Sequence, residues 1–99
     1  MEIVKNVEAN KVVFAVQGNL DTVTSPDLQN ELNALDASIN DITFDFSKLD
    51  YISSAGLRVM LTANKKMVAI GGKMVIANSN PSVKEVFDMT GFSDIFTMV

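Results

Sequence analysis

The chain has 99 residues, 47% of them hydrophobic, which suffices for one small domain around a single core. Its net charge of −4 argues against nucleic acid as the main partner, because phosphate backbones are held by basic surfaces. With no Cys and no His there is no disulfide framework, thiolate nucleophile, Ser-His-Asp triad or His/Cys zinc site, which leaves any chemistry to carboxylates, hydroxyls and lysines.

In chain order, residues 2–5 are a candidate edge strand. Residues 11–17 alternate, with Val12, Phe14 and Val16 on one side and Lys11, Val13, Ala15 and Gln17 on the other, and Gly18-Asn19 end that strand. Thr24-Ser25-Pro26-Asp27 signals a helix start, a hydroxyl before the proline and an acid in the first turn; Leu28, Leu32 and Leu35 continue it at helical spacing to about residue 37. Residues 41–46 form the next strand. Ile42, Phe44 and Phe46 share one side and Thr43 and Asp45 the other, so one face of the sheet is only lightly covered.

A second helix is expected over 54–70, with Leu57, Met60, Leu61, Asn64 and Val68 on its inner face and Arg58, Thr62, Lys65 and Lys66 outside. Gly71-Gly72 stop it, 73–77 form a compact buried strand, and Asn78-Ser79-Asn80-Pro81 turn into a third helix over 82–89, closed by Gly91. Residues 95–99 can add a last short strand. Met60, Met67, Met74, Met89 and Met98 read as core filler, as do Phe87 and Phe92. The order predicts one α/β domain spanning residues 1–99, with a four- to five-stranded, mostly parallel mixed sheet, right-handed crossovers and helices mainly on one face. No apolar stretch reaches membrane-spanning length and the N-terminus lacks a basic region followed by an apolar run, so neither a transmembrane helix nor a secretory signal is expected.

The segment from Asp50 to Leu61, with adjacent Ser53 and Ser54 where a strand-end loop turns into an apolar helix, carries most of the functional information. A helix start has free backbone N–H groups and a partial positive charge. Ser54 is therefore placed either to cap the helix or to carry a phosphoryl group. No Walker or dinucleotide glycine loop accompanies it, and no cofactor is expected.

Four pieces in order resemble a known family. Gly18-Asn19-Leu20-Asp21 is similar to a Gly-x-Leu-Asp turn, and Phe44 to Leu57 is similar to a strand, phosphorylation loop and helix start. Gly71-Gly72-Lys73-Met74 and Val86 to Phe92 match a later turn and third helix. Together they resemble the STAS domain of bacterial anti-sigma factor antagonists over essentially the whole chain. The resemblance implies a non-enzymatic, cytoplasmic partner switch, monomeric when free. In that family the unmodified antagonist binds an anti-sigma factor and so releases a sigma factor. The anti-sigma factor is also an ATP-dependent serine kinase that phosphorylates the antagonist and ends the association, and a PP2C-type phosphatase resets the cycle. Counting back two residues from Gly56 makes Ser54 the implied phosphoacceptor; Ser53 stands where many relatives carry Asp.

The expected partner contacts are Asp21, Thr22, Ser53, Gly56, Leu57 and Arg58, each with a plainer role beside it. Asp21 either meets a partner or orients the serine, or it forms an Asx-type turn, and Asp50 has the same pair of readings. Ser53 is a loop hydroxyl or hydrogen-bond partner; Gly56 permits close approach or is a tolerated helix glycine; Arg58 meets an acidic patch or lies on a solvated face. Two other functions remain open at this point. One is an unphosphorylated STAS module supporting a transporter or signalling assembly. The other is an Asp-phosphorylated receiver domain, because Asp21, Asp45 and Asp50 lie near strand ends and such sites hold Mg²⁺ with clustered carboxylates.

Overall fold

A computed structural model describes all 99 residues, Met1–Val99. Antiparallel strands β1 (Glu2–Glu8) and β2 (Lys11–Leu20) lead into helix α1 (Ser25–Asn33), and strands β3 (Asp41–Asp45) and β4 (Leu49–Ile52) precede helix α2 (Ser54–Ala69). Strand β5 (Lys73–Ala77), helix α3 (Pro81–Thr90), a 3₁₀ turn (Phe92–Asp94) and the two-residue strand β6 (Thr97–Met98) complete the chain. The sheet order is β1-β2-β3-β5-β6, and every pairing after the first hairpin is parallel, so each crossover carries a helix. The expected α/β architecture holds, with six strands in place of four or five.

Alternation decides which face is covered. Val12, Phe14 and Val16 of β2, Ile42 and Phe44 of β3 and Met74 and Ile76 of β5 are all buried under the helices. Their neighbours Val13, Ala15, Thr43, Asp45, Val75 and Ala77 are only half-buried, on a face no helix covers. Phe14, Phe44 and Ile76 lie in one register row across three strands. All six phenylalanines form a chain of ring contacts, from Phe14–Phe44 with centroids 5.7 Å apart, through Phe46 and Phe87, to Phe92–Phe96 at 5.7 Å. Burying a phenylalanine contributes about 1.5–3 kcal/mol, so this chain ties α3 and the C-terminus to the sheet centre.

Several elements depart from the sequence expectation for local reasons. Strand β4 replaces what reads as a loop. Its burial pattern has only its ends, Leu49 and Ile52, inside, so it shows no alternation. It exists because β2 continues past residue 17: Gly18, at φ +87°, receives a bulge, and the end of β2 exchanges its partner β3 for β4. Asp50, exposed in the middle of β4, is thus a strand residue and forms no turn. Helix α2 buries Gly56, Leu57, Val59, Met60, Ala63 and Met67, while Val68 is 70% exposed, so its inner face is rotated from the expected stripe toward the glycine. Met60, Met67 and Met74 are core and Met98 packs against it, but Met89 is 79% exposed at the end of α3. Helix α1 ends at Asn33, four residues early, and Leu35 reaches the core from the following turn.

Candidate functional site

The candidate site lies where β2 and β4 end side by side. Asn19 pairs with Tyr51 and Leu20 with Ile52, and the Ser53 N–H donates to the Leu20 carbonyl at 2.9 Å. This ladder brings the 21–24 loop against the first turn of α2, two segments thirty residues apart in sequence. Gly56 permits the approach. A Cβ there would sit 2.8 Å from Ile52 Cγ1 and 2.9 Å from both Leu20 Cγ and the Leu20 carbonyl oxygen. Of the two readings of Gly56, close approach of helix and strand is the one the geometry fits.

The two serines divide the work. Ser53 has extended backbone and is the cap: its Oγ accepts from the Gly56 N–H at 3.4 Å, and its carbonyl accepts from the Leu57 N–H at 2.9 Å. Ser54 is the first helical residue, exposed, and takes no part in the cap. Capping, one of the two readings of Ser54 in the sequence, thus falls to Ser53. Ser53 is half-buried and committed to the backbone, leaving Ser54 as the hydroxyl offered to solvent at the helix N-terminus.

Asp21 is occupied by its own loop. Its Oδ1 accepts from the N–H groups of Val23 and Thr24, both at 3.0 Å. The Thr24 hydroxyl accepts from the Asp21 N–H at 2.9 Å and shares its own hydrogen between the Asn19 carbonyl and Asp21 Oδ1. The Thr24 N–H, then its hydroxyl, hold the Asp21 carboxyl below its ordinary value. The Asx-turn reading describes this residue, which makes the loop rigid and leaves its tip, Thr22 and Val23, exposed. Val23, 84% exposed, was not picked out by sequence patterning, because a lone valine between two threonines carries no period.

Between α1 and α2 this tip opens onto a cleft of about 430 Å³, lined by Thr22, Ser25, Gln29, Ala55, Arg58 and Thr62 among others. Arg58 is the only charged residue lining it, and neither of the two surface ion pairs, Lys5–Glu31 and Lys73–Asp41, engages it. The structure therefore brings Thr22 and Arg58 to one cleft and sets Ser53 and Ser54 at the helix start beside it. It turns Gly56 and Leu57 inward, where both are buried, so these two support the surface and do not present side chains on it. The three strand-end carboxylates do not converge: Asp45 accepts from the Ser47 N–H and the Asn78 amide, Asp21 faces its own loop, and no group of three acidic side chains is placed to hold a metal. No helix is long and apolar enough to cross a membrane.

The fold is a mixed, mostly parallel α/β sheet with helices on one face, and the STAS domain family model matches residues 1–99. The chain belongs to the STAS domain family. It is 37% identical over 86 residues to the provisionally named anti-sigma factor antagonist BtrV of Bordetella bronchiseptica, covering 86% of this chain and 74% of BtrV. It is 27% identical over 86 residues to the anti-sigma-B factor antagonist of Bacillus subtilis, covering 87% and 79%. The anti-sigma factor antagonist SpoIIAA in its unphosphorylated form superposes with a TM-score of 0.80 at 19% identity, over 99% of this chain and 87% of SpoIIAA. Its phosphorylated form from Bacillus gives 0.79, also at 19% identity, over 99% and 91%.

Proposed function

We propose that this protein is a cytoplasmic anti-sigma factor antagonist whose unmodified form binds an anti-sigma factor with serine kinase activity, and that phosphorylation of Ser54 ends the association. The observation that carries the reading is the division of labour between the serines: the fold keeps its cap on Ser53 and leaves Ser54 free at the start of a 16-residue helix. Homology to proteins named as anti-sigma factor antagonists supports it. The surface around Ser54, made by Thr22, Val23, Ala55 and Arg58, is the contact surface in this proposal, and a PP2C-type phosphatase resets it.

The switch acts at the interface and leaves the fold intact. A phosphoryl group adds about 1.5–2 negative charges and three acceptor oxygens. At the first turn of α2 that anion meets N–H donors and a favourable dipole, worth about 0.3–1 kcal/mol. Pressed against a partner shaped for a neutral hydroxyl it becomes a buried, unpaired charge, which costs several kcal/mol. Incubation with the cognate kinase and ATP tests the assignment: Ser53→Ala is labelled, Ser54→Ala is not. Labelling of Ser54→Ala would reassign the acceptor and remove the proposal.

A further inference from the structure

Arg58, one turn beyond Ser54 on α2, is the only cation lining the cleft and makes no ion pair. Arg58 follows Ser54 by four residues on α2, and positions four apart stand one above the other on a helix. Helical side chains lean toward the N-terminus, so a guanidinium at 58 is within reach of the turn that carries Ser54. Arg58 is exposed, is the only arginine in the chain, and is in neither ion pair. The lysines that flank it in sequence are poorly placed to replace it. Lys65 and Lys66 lie about 16 Å or more further along the helix at 1.5 Å per residue. Lys48 precedes β4, with that strand between it and Ser54, roughly 15 Å away.

The geometry points to Arg58 as the counter-ion of the phosphoryl group on Ser54, a positioning residue that fixes the phosphate against α2 from within the same chain. The inference rests on the reading of Ser54 as the phosphoacceptor. Arginine suits the task because its planar fork matches two phosphate oxygens, whereas a lysine offers a point charge. The other charged groups around the site are acidic: Asp21 on the β2–α1 loop, Asp27 in the first turn of α1 and Asp50 on β4. They push against the phosphate, so Arg58 is the side-chain cation that opposes them, beside the N–H groups of the helix start. The phosphate then stays dianionic and fixed in place at neutral pH, and the charge that meets the partner has a defined position.

The test places phosphoserine at position 54 during translation, so that no kinase is needed, and follows the ³¹P resonance with pH at low salt. The parent titrates below the ordinary second phosphate value of about 6. In Arg58→Gln the midpoint rises by about 0.3 pH units or more; Arg58→Lys recovers part of the difference, and the control Lys65→Gln matches the parent. High salt narrows the gap, as expected for an exposed pair. Equal midpoints for the parent and Arg58→Gln at low salt, with both proteins folded, would overturn the role of Arg58. Kinase labelling of Ser54 fails or succeeds independently of this titration, so the two ideas are refuted by different results.

Discussion

Gly56→Ala is a one-carbon change whose sign separates a packing glycine from an ordinary helix glycine. In an unconstrained helix interior the substitution stabilises by about 1 kcal/mol, because alanine loses less backbone entropy. Here the added carbon would stand 2.8–2.9 Å from two core side chains and the Leu20 carbonyl oxygen. Carbon contacts are comfortable near 3.5–4.0 Å, so the start of α2 must withdraw from β2 and β4 by about half an ångström or more. Overpacking of this kind costs about 1–3 kcal/mol. The withdrawal also stretches the 2.9 Å bond from Ser53 N–H to the Leu20 carbonyl, whose net worth is about 0.5–1.5 kcal/mol. Against the propensity gain of about 1 kcal/mol, the net loss centres on about 2 kcal/mol. For a domain of this size that is a fall of about 5–15 °C in Tm. Urea and thermal unfolding followed by circular dichroism read it directly. A Gly56→Ala protein as stable as the parent, or more so, would refute the close approach of the two loops on which the site depends.

Ser53→Ala removes the α2 cap and lowers stability by about 0.5–1 kcal/mol, the low end because the bond is long at 3.4 Å, while Ser54→Ala leaves the urea midpoint unchanged. Asn80→Ala costs more, about 1–3 kcal/mol by the same assay, because its side chain both caps α3 through the Val83 N–H and donates to the Leu49 carbonyl, both at 2.8 Å. Acid unfolding carries a definite sign. The carboxyls of Asp21, Asp36 and Asp45 are held below their ordinary value of 3.8 first by the N–H groups of Thr24, Ser38 and Ser47, so their contribution is present above that value and is lost as pH falls below it through the lower folded-state values. Stability measured between pH 6 and 2.5 therefore drops on the acid side, and Asp21→Asn flattens that limb without abolishing it.

The alternating strands around Phe14, Phe44 and Ile76 were legible in the sequence because burial on one face enforces a period of two. The helix starts around Pro26 and just after Asn80, one residue earlier than expected for the third helix, and the stop at Gly71-Gly72 were legible from local proline, cap and glycine signals. Strand β4 was not. Four residues with Leu49 and Ile52 inside and Asp50 and Tyr51 outside fit no short period, and the strand's cause, the bulge at Gly18, lies thirty residues upstream. The phase of α2 was hidden too: Val68 carries the hydropathy of a core residue, but the tight seat of Gly56 and the packing of Ala63 and Met67 rotate the helix away from it. At the site, two adjacent serines offered one cap and one free hydroxyl. Which was which depended on whether the Leu20 carbonyl captured the Ser53 N–H, a tertiary contact that neither propensity nor period encodes.

The proposed switch is tested most directly by calorimetric titration of the anti-sigma partner with the protein fully phosphorylated at Ser54 and with the unmodified protein, with Tm measured on both. The expected result is affinity weaker by about a hundredfold or more, the equivalent of several kcal/mol, with the two Tm values within about 2 °C of each other. Equal affinities, or a phosphorylated protein that melts far below the unmodified one, would contradict a switch that works at the interface and spares the fold.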